Sequence, residues 1–161
     1  MIRSYEPADA AAVLAINEAN IPAVGDMDLR KLELFGEIAS WLKVIEVDGV
    51  VVGLLVGLIE GQDRYRSPNY RWFSERNDRF IYVDRVAVAE SARNQGWGAK
   101  LYDEFAEWGR ANGYAVMTAE VNTIPDNPGS HRFHQRYGFV EVGRERPYGA
   151  NEEVVMYELA L

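Results

Sequence analysis

The chain has 161 residues, a net charge of −8 from 25 acidic and 17 basic side chains, and no cysteine. That length fits one domain spanning 1–161 with a real core, and 48% hydrophobic with 26% charged residues is an ordinary globular composition. Disulfides, thiolate metal sites and a cysteine nucleophile are excluded. The acidic balance repels a nucleic-acid backbone and attracts a cationic small molecule, although acidity also serves solubility.

The opening MIRSYEPADA lacks a basic-then-apolar leader pattern. Val50 to Ile59 is too short an apolar run to span a bilayer. The expected setting is therefore the cytoplasm, with neither membrane nor nucleic acid as partner.

Along the chain, Ile2 to Tyr5 reads as a strand, and Pro7 opens a helix reaching about Asn20. Ile21 to Asp28, with Pro22 and Gly25, reads as a loop. Leu32, Phe35, Ile38, Ala39 and Leu42 have helical spacing. Lys43 to Val47 and Val50 to Ile59 read as strands joined by a tight turn at Asp48-Gly49. Gly61 to Arg79 is a polar, aromatic-rich excursion without clear periodicity. Phe80 to Val88 is a β-branched strand, Trp97 to Asn112 a helix closed by Gly113, and Tyr114 to Val121 a strand. Ser130 to Tyr137 reads as a short helix, followed by strands Phe139 to Arg144 and Val154 to Leu159. The order β-α-α-β-β-β-α-β-α-β-β predicts an α/β fold with a mixed, mostly antiparallel sheet flanked by helices.

The chemistry is concentrated where strand 83–88 runs through a turn into the helix at Trp97. Glycines at 96 and 98 remove side-chain crowding from the helix start, whose first N–H groups lack intrahelical partners. Free donors, the positive end of the helix dipole and Arg93 together form an anion site suited to a pyrophosphate. The dinucleotide fingerprint and the P-loop are both excluded, the first for want of its leading glycine and the second for want of Gly-Lys-Ser/Thr.

Arg93-x-x-Gly96-x-Gly98, preceded by Val86 and Val88 on a strand, resembles the R/Q-x-x-G-x-G/A signature of the GNAT acetyltransferase superfamily. Asn127-x-x-Ser130-x-x-Phe133-His134-x-x-Tyr137-Gly138-Phe139 is similar to a second segment of that family, and the element order matches the GNAT fold over nearly the whole chain. The resemblance implies an N-acetyltransferase that takes acetyl-CoA as co-substrate, needs no metal, and acetylates the amine of a small molecule or peptide. It implies that the backbone at Val86 and Val88 pairs with the pantetheine arm. It implies further that the N–H groups of Arg93, Asn94, Gln95, Gly96, Trp97, Gly98 and Ala99 cradle the pyrophosphate, and that Asn127, with Ser130 also among the cofactor-binding positions, bonds the pantetheine. Asn127 equally suits a turn or cap role ahead of Pro128. Where the family usually has a tyrosine, proposed as the acid for the leaving thiolate, this chain has His134. It is a candidate catalytic acid because an imidazolium near pKa ~6.5 gives up a proton more readily than a tyrosine near ~10; the competing reading is a solvated histidine beside the cofactor.

Acyl transfer needs a neutral amine. About a tenth of an α-amine (pKa roughly 8), but under one part in a thousand of a lysine-like amine (pKa ~10.4), is neutral at pH 7. Glu120 and Asp84 are the candidate bases, acting directly or through water; the competing reading of each is a structural ion pair. Glu120 lies near the position of a catalytic glutamate in several GNAT enzymes, with two extra residues before Asn127. His131 and His134 are three apart on one helix; without a third ligand they read as residues of a solvated face rather than a metal site, His134 keeping its special position. Tyr65, Tyr70, Trp72 and Phe73 among Arg64, Arg66, Arg71 and Arg76 suit a substrate-side lid or a homodimer contact. The loop from Asn20 to Asp28 lies where GNAT proteins often build the acceptor pocket. The alternative to an enzyme is a non-catalytic acyl-CoA-binding sensor or partner module.

Overall fold

The computed structural model describes residues 1–161. The elements are β1 (Ile2–Ser4), a tight turn of helix (Pro7–Asp9), α1 (Ala10–Ala19), α2 (Leu29–Ile38), β2 (Trp41–Val47), β3 (Val50–Ile59), α3 (Pro68–Arg76), β4 (Ile81–Val88), a second tight turn (Glu90–Ala92), α4 (Trp97–Ala111), β5 (Val116–Ile124), α5 (Pro128–Tyr137), β6 (Val140–Glu145) and β7 (Glu153–Ala160). One seven-stranded sheet runs in the order β1-β2-β3-β4-β5-β7-β6. β1/β2, β2/β3, β5/β7 and β6/β7 are antiparallel, and β4/β5 is parallel over Ile81–Val83 against Met117–Ala119. This is the expected mixed, mostly antiparallel α/β architecture. No helix is long and apolar enough to cross a membrane.

The chain divides into two compact units, residues 1–58 with 84–105 and residues 59–83 with 106–161. In the first, the Asp48-Gly49 turn has positive φ at both residues, 51° and 77°, as the short hairpin requires. Leu32, Phe35, Val44, Leu54 and Leu55 are fully buried. Trp41 packs on Phe105 with ring centroids 5.3 Å apart. Gly57 is obligatory beneath that ring, since a Cβ there would lie 2.5 Å from Phe105 Cζ. α2 stops at Ile38 because Ala39 turns extended. Leu42, whose spacing reads as helical, instead pairs in β2 opposite Val56.

The second unit contains the main departure from expectation. The excursion 61–79 holds α3, with Ser67 as N-cap accepting from the Tyr70 N–H and Pro68 in the first turn. Its periodicity is hidden because the helix is only nine residues long and rich in poor helix formers, so just Tyr70 and Phe73 mark the buried face. The helix is fastened to the terminal hairpin: Trp72 Nε1 donates to Glu145 (2.9 Å), and Arg76 Nε and Asn77 Nδ2 donate to Glu158 (2.8 and 2.9 Å). Half of the aromatic stretch is therefore core rather than a lid.

Candidate functional site

In the first unit, β4 leads through Glu90–Ala92 to the start of α4. Asn94 (φ 61°) and Gly96 (φ 81°) both adopt the left-handed conformation, and this double reversal sets up the helix at Trp97. The first intrahelical bond is Lys100 N–H to Gly96 O (3.1 Å), which leaves the N–H groups of Trp97, Gly98 and Ala99 without a helical acceptor. A Cβ on Gly96 or Gly98 would meet nothing within 4 Å, so the side-chain positions of the turn are open. Arg93 is held beside the turn by bonds to Val88 O (3.4 Å) and Asn20 Oδ1 (3.3 Å), and Gln95 braces the turn by donating to Ser91 O (3.1 Å). Lys100 sits 4.5 Å from the Trp97 ring centre. The Trp97 indole N–H is shielded from solvent and has no acceptor within the protein. Oriented donors and two cations fit a bound diphosphate.

This geometry makes a direct prediction. Gly96→Glu places bulk and negative charge on the donor cradle, and acetyl-CoA affinity measured by calorimetry should fall more than tenfold. Gly96→Asn, which tolerates the left-handed backbone, should lose much less. Equal affinity for the two variants would separate cofactor binding from this turn.

Val86 and Val88 are half-buried on the same side of β4 as Asp84. The Asp84 carboxylate is enclosed, its side chain only 3% exposed, and accepts from Arg85 Nε at 2.8 Å. Arg85 Nη1 also reaches Asn17 Oδ1 (2.9 Å), Gly25 O (3.0 Å) and Asp26 O (3.4 Å). The guanidinium lies 5.2 Å from the Phe35 ring centre. Of the two readings open for Asp84, the geometry is that of the structural ion pair, which ties the loop after α1 to β4.

In the second unit, Glu120 stands on β5, and its Oε1 accepts from the Tyr82 hydroxyl (2.8 Å) and from Asn69 Nδ2 (3.3 Å). Tyr82 is fully buried. Its ring is wedged against Tyr70 and Phe73 of α3, with centroids 5.5 and 5.8 Å away. The Tyr70 hydroxyl donates to Ile59 O (2.7 Å), and burial raises its pKa. Glu120 is thus a carboxylate aimed by neighbours on β4 and α3. Asn69 and Tyr82 escape sequence reasoning because nothing local connects an excursion, a strand interior and a glutamate 51 and 38 positions away. The Ser67-Pro68 cap is the one signal that could have revealed α3.

Neither histidine lies on a solvated face. His131 Nε2 donates to Asn122 O (2.8 Å), which leaves Nδ1 to accept from the Tyr157 hydroxyl (2.8 Å). His134 is 3% exposed and stacked on Tyr157, with centroids 5.7 Å apart and planes 14° apart. Its Nδ1 donates to Ser130 O at 2.7 Å, with the Ser130 hydroxyl oxygen 3.3 Å away. Asn127 caps α5 by position, its carbonyl accepting from His131 N–H (3.2 Å), while its side chain makes no cap bond.

The model of the acetyltransferase (GNAT) family matches residues 14–139. The chain belongs to the GNAT acetyltransferase family. A solved structure of Ard1 from Thermoplasma volcanium superposes on this chain with a TM-score of 0.80 at 22% identity, covering 100% of this chain and 97% of that one. A ribosomal-protein-alanine N-acetyltransferase from Brucella melitensis gives 0.74 at 25% identity, covering 100% and 99%. An aminoglycoside N(6')-acetyltransferase type 1 from Serratia marcescens is 32% identical over 63 residues, 39% of this chain and 42% of that protein. The chain spans about half the length of the curated relatives it matches.

His134 differs physically from an exposed acid. Burial, assisted by the nearby His131 and only partly opposed by the bond to Ser130, lowers its pKa to about 4. At pH 7 about one ring in a thousand is then charged, so this imidazole is poorly suited to delivering a proton to a thiolate. The sign for stability follows. The unfolded ring binds a proton near pH 6.5 and the folded ring does not, so stability is fully present above 6.5 and is lost as pH falls toward 4. The loss attributable to His134 is about 3 kcal/mol at its limit. The difference in urea-unfolding free energy between pH 7.5 and pH 4.5 should shrink by more than half of that in His134→Phe, which keeps the stack. An identical pH dependence in both proteins would show that the buried ring is not titrating.

Proposed function

We propose that this GNAT protein transfers the acetyl group of acetyl-CoA directly to the amine of a small molecule or peptide, with Glu120 as general base. The observation that carries the reading is the Glu120 carboxylate fixed by Tyr82 and Asn69 on the strand leading to Asn127. Acetyl-CoA supplies the activated acetyl thioester. The N–H groups from Arg93 to Ala99, with Arg93 and Lys100, hold its diphosphate, and Asn127 bonds its pantetheine. The Glu120 carboxylate takes the amine proton, directly or through water. The nitrogen lone pair then adds to the thioester carbonyl carbon, and the C–S bond breaks as the adduct collapses. The proton lost from the new amide nitrogen reaches the thiolate through water, and Glu120 gives its own proton back to solvent. His134 serves as a packing residue that sets the start of α5 through Ser130.

The acidic chain favours a cationic acceptor. The aminoglycoside enzyme and the ribosomal-protein-alanine enzyme mark two acceptor chemistries to test. CoA thiol release should be followed with kanamycin, spermidine, Nα-acetyl-lysine, free amino acids and an alanine-initiated peptide. Turnover with one of them supports the enzyme. Tight acetyl-CoA binding without turnover on any would favour the non-catalytic acyl-CoA module instead.

A further inference from the structure

Asn69 does more than touch Glu120. Its amide spends Nδ2 on Glu120 Oε1 (3.3 Å), and because that partner is an acceptor the amide orientation is settled: Oδ1 faces away from the bond. Oδ1 is screened from solvent and has no hydrogen-bond donor within the protein. A buried acceptor left in this state is costly. Ser67 and Pro68 fix the first turn of α3 on which Asn69 sits, and Trp72, Arg76 and Asn77 lock the helix to β6 and β7, so the amide is rigidly presented. Asn69 and Glu120 both remain partly exposed as residues.

From this arrangement we propose that Asn69 selects nitrogen over oxygen nucleophiles, by accepting through Oδ1 a second N–H of the amine whose first proton goes to Glu120. The inference rests on the reading of Glu120 as base. An ammonium has N–H groups for both acceptors and, once deprotonated, still donates to Asn69 while its lone pair attacks the acetyl carbon. An alcohol has one proton. Given to Glu120, it leaves an oxygen lone pair against the amide oxygen, an electrostatic clash and an unmet acceptor; buried polar groups left unpaired in this way are a strong source of discrimination.

The test compares Asn69→Leu with Tyr82→Phe. Each removes one donor to Glu120 Oε1, but only the first removes the Oδ1 acceptor. The probes are the best amine of the panel above and the alcohol of the same skeleton. Asn69→Leu should raise KM for the amine about tenfold, the worth of one hydrogen bond, and lower the amine-to-alcohol ratio of kcat/KM by a similar factor. Tyr82→Phe should lower kcat with KM for the amine and the ratio unchanged. Asn69→Ala repeats the test without added apolar bulk, should the leucine variant fold poorly. Equal KM values and equal ratios in the Asn69 and Tyr82 variants would overturn the proposal, because Oδ1 then meets only an ordered water. Glu120→Gln run alongside keeps the two readings apart: wild-type activity in that variant refutes the base itself, whereas a large loss there with no Asn69 effect refutes only the selectivity.

Discussion

Glu120→Gln should lower kcat/KM by about 10²-fold or more at pH 7, the usual scale for loss of a general base. Glutamine keeps the length and shape of the side chain and still accepts from the Tyr82 hydroxyl and Asn69, so the packing of β4 against α3 through Tyr82 is preserved. What it loses is the ability to take a proton. The defect should shrink as pH rises, because the amine then arrives already neutral. It should also depend on the acceptor: an α-amine of pKa roughly 8 needs less help at pH 7 than a lysine-like amine of pKa ~10.4, so the loss should be greater for the second. The measurement is kcat/KM from pH 6.5 to 10 for both amine types. A pH-independent loss would make Glu120 a binding residue, and wild-type activity at neutral pH would leave bulk water as the base.

Arg85→Met should cost about 3–5 kcal/mol of stability, the usual penalty for removing one partner of a buried ion pair. Asp84 would stay enclosed without the guanidinium that now lies 2.8 Å from it. Asn17 Oδ1, Gly25 O and Asp26 O would each lose a donor. For a protein of this size the loss corresponds to a fall in Tm of roughly 10 °C. The double variant Asp84→Leu/Arg85→Met should recover a large part of it, because charge and counter-charge leave together. Urea unfolding of the three proteins reads this directly. A loss under about 1 kcal/mol in Arg85→Met would mean that Asp84 is hydrated, and would restore it as a rival to Glu120 for the base.

Local chemistry determined much of this protein before any tertiary contact entered. Asp48-Gly49 specifies its hairpin because those two residues accept the positive φ that a tight turn imposes. Arg93 to Ala99 specify a helix start at Trp97, because the two glycines free the turn that opens it and its first N–H groups have no helical acceptor. The pattern of apolar residues accounts for the sheet strands and for α4, whose period is long enough to read. Tertiary structure decided the rest. A nine-residue helix with two buried aromatics has too little period to announce itself, and packing creates α3. Asp84 and Glu120 look alike in sequence, as carboxylates on neighbouring strands of one fold. What separates them is decided in tertiary structure: Asp84 is buried with its neighbour Arg85, whose guanidinium is held by Asn17, Gly25 and Asp26, whereas Glu120 meets two neutral donors from distant segments. His134 likewise reads as an exposed helix residue until Tyr157 and Phe139 close over it, because desolvation belongs to the whole packed environment and not to the residue.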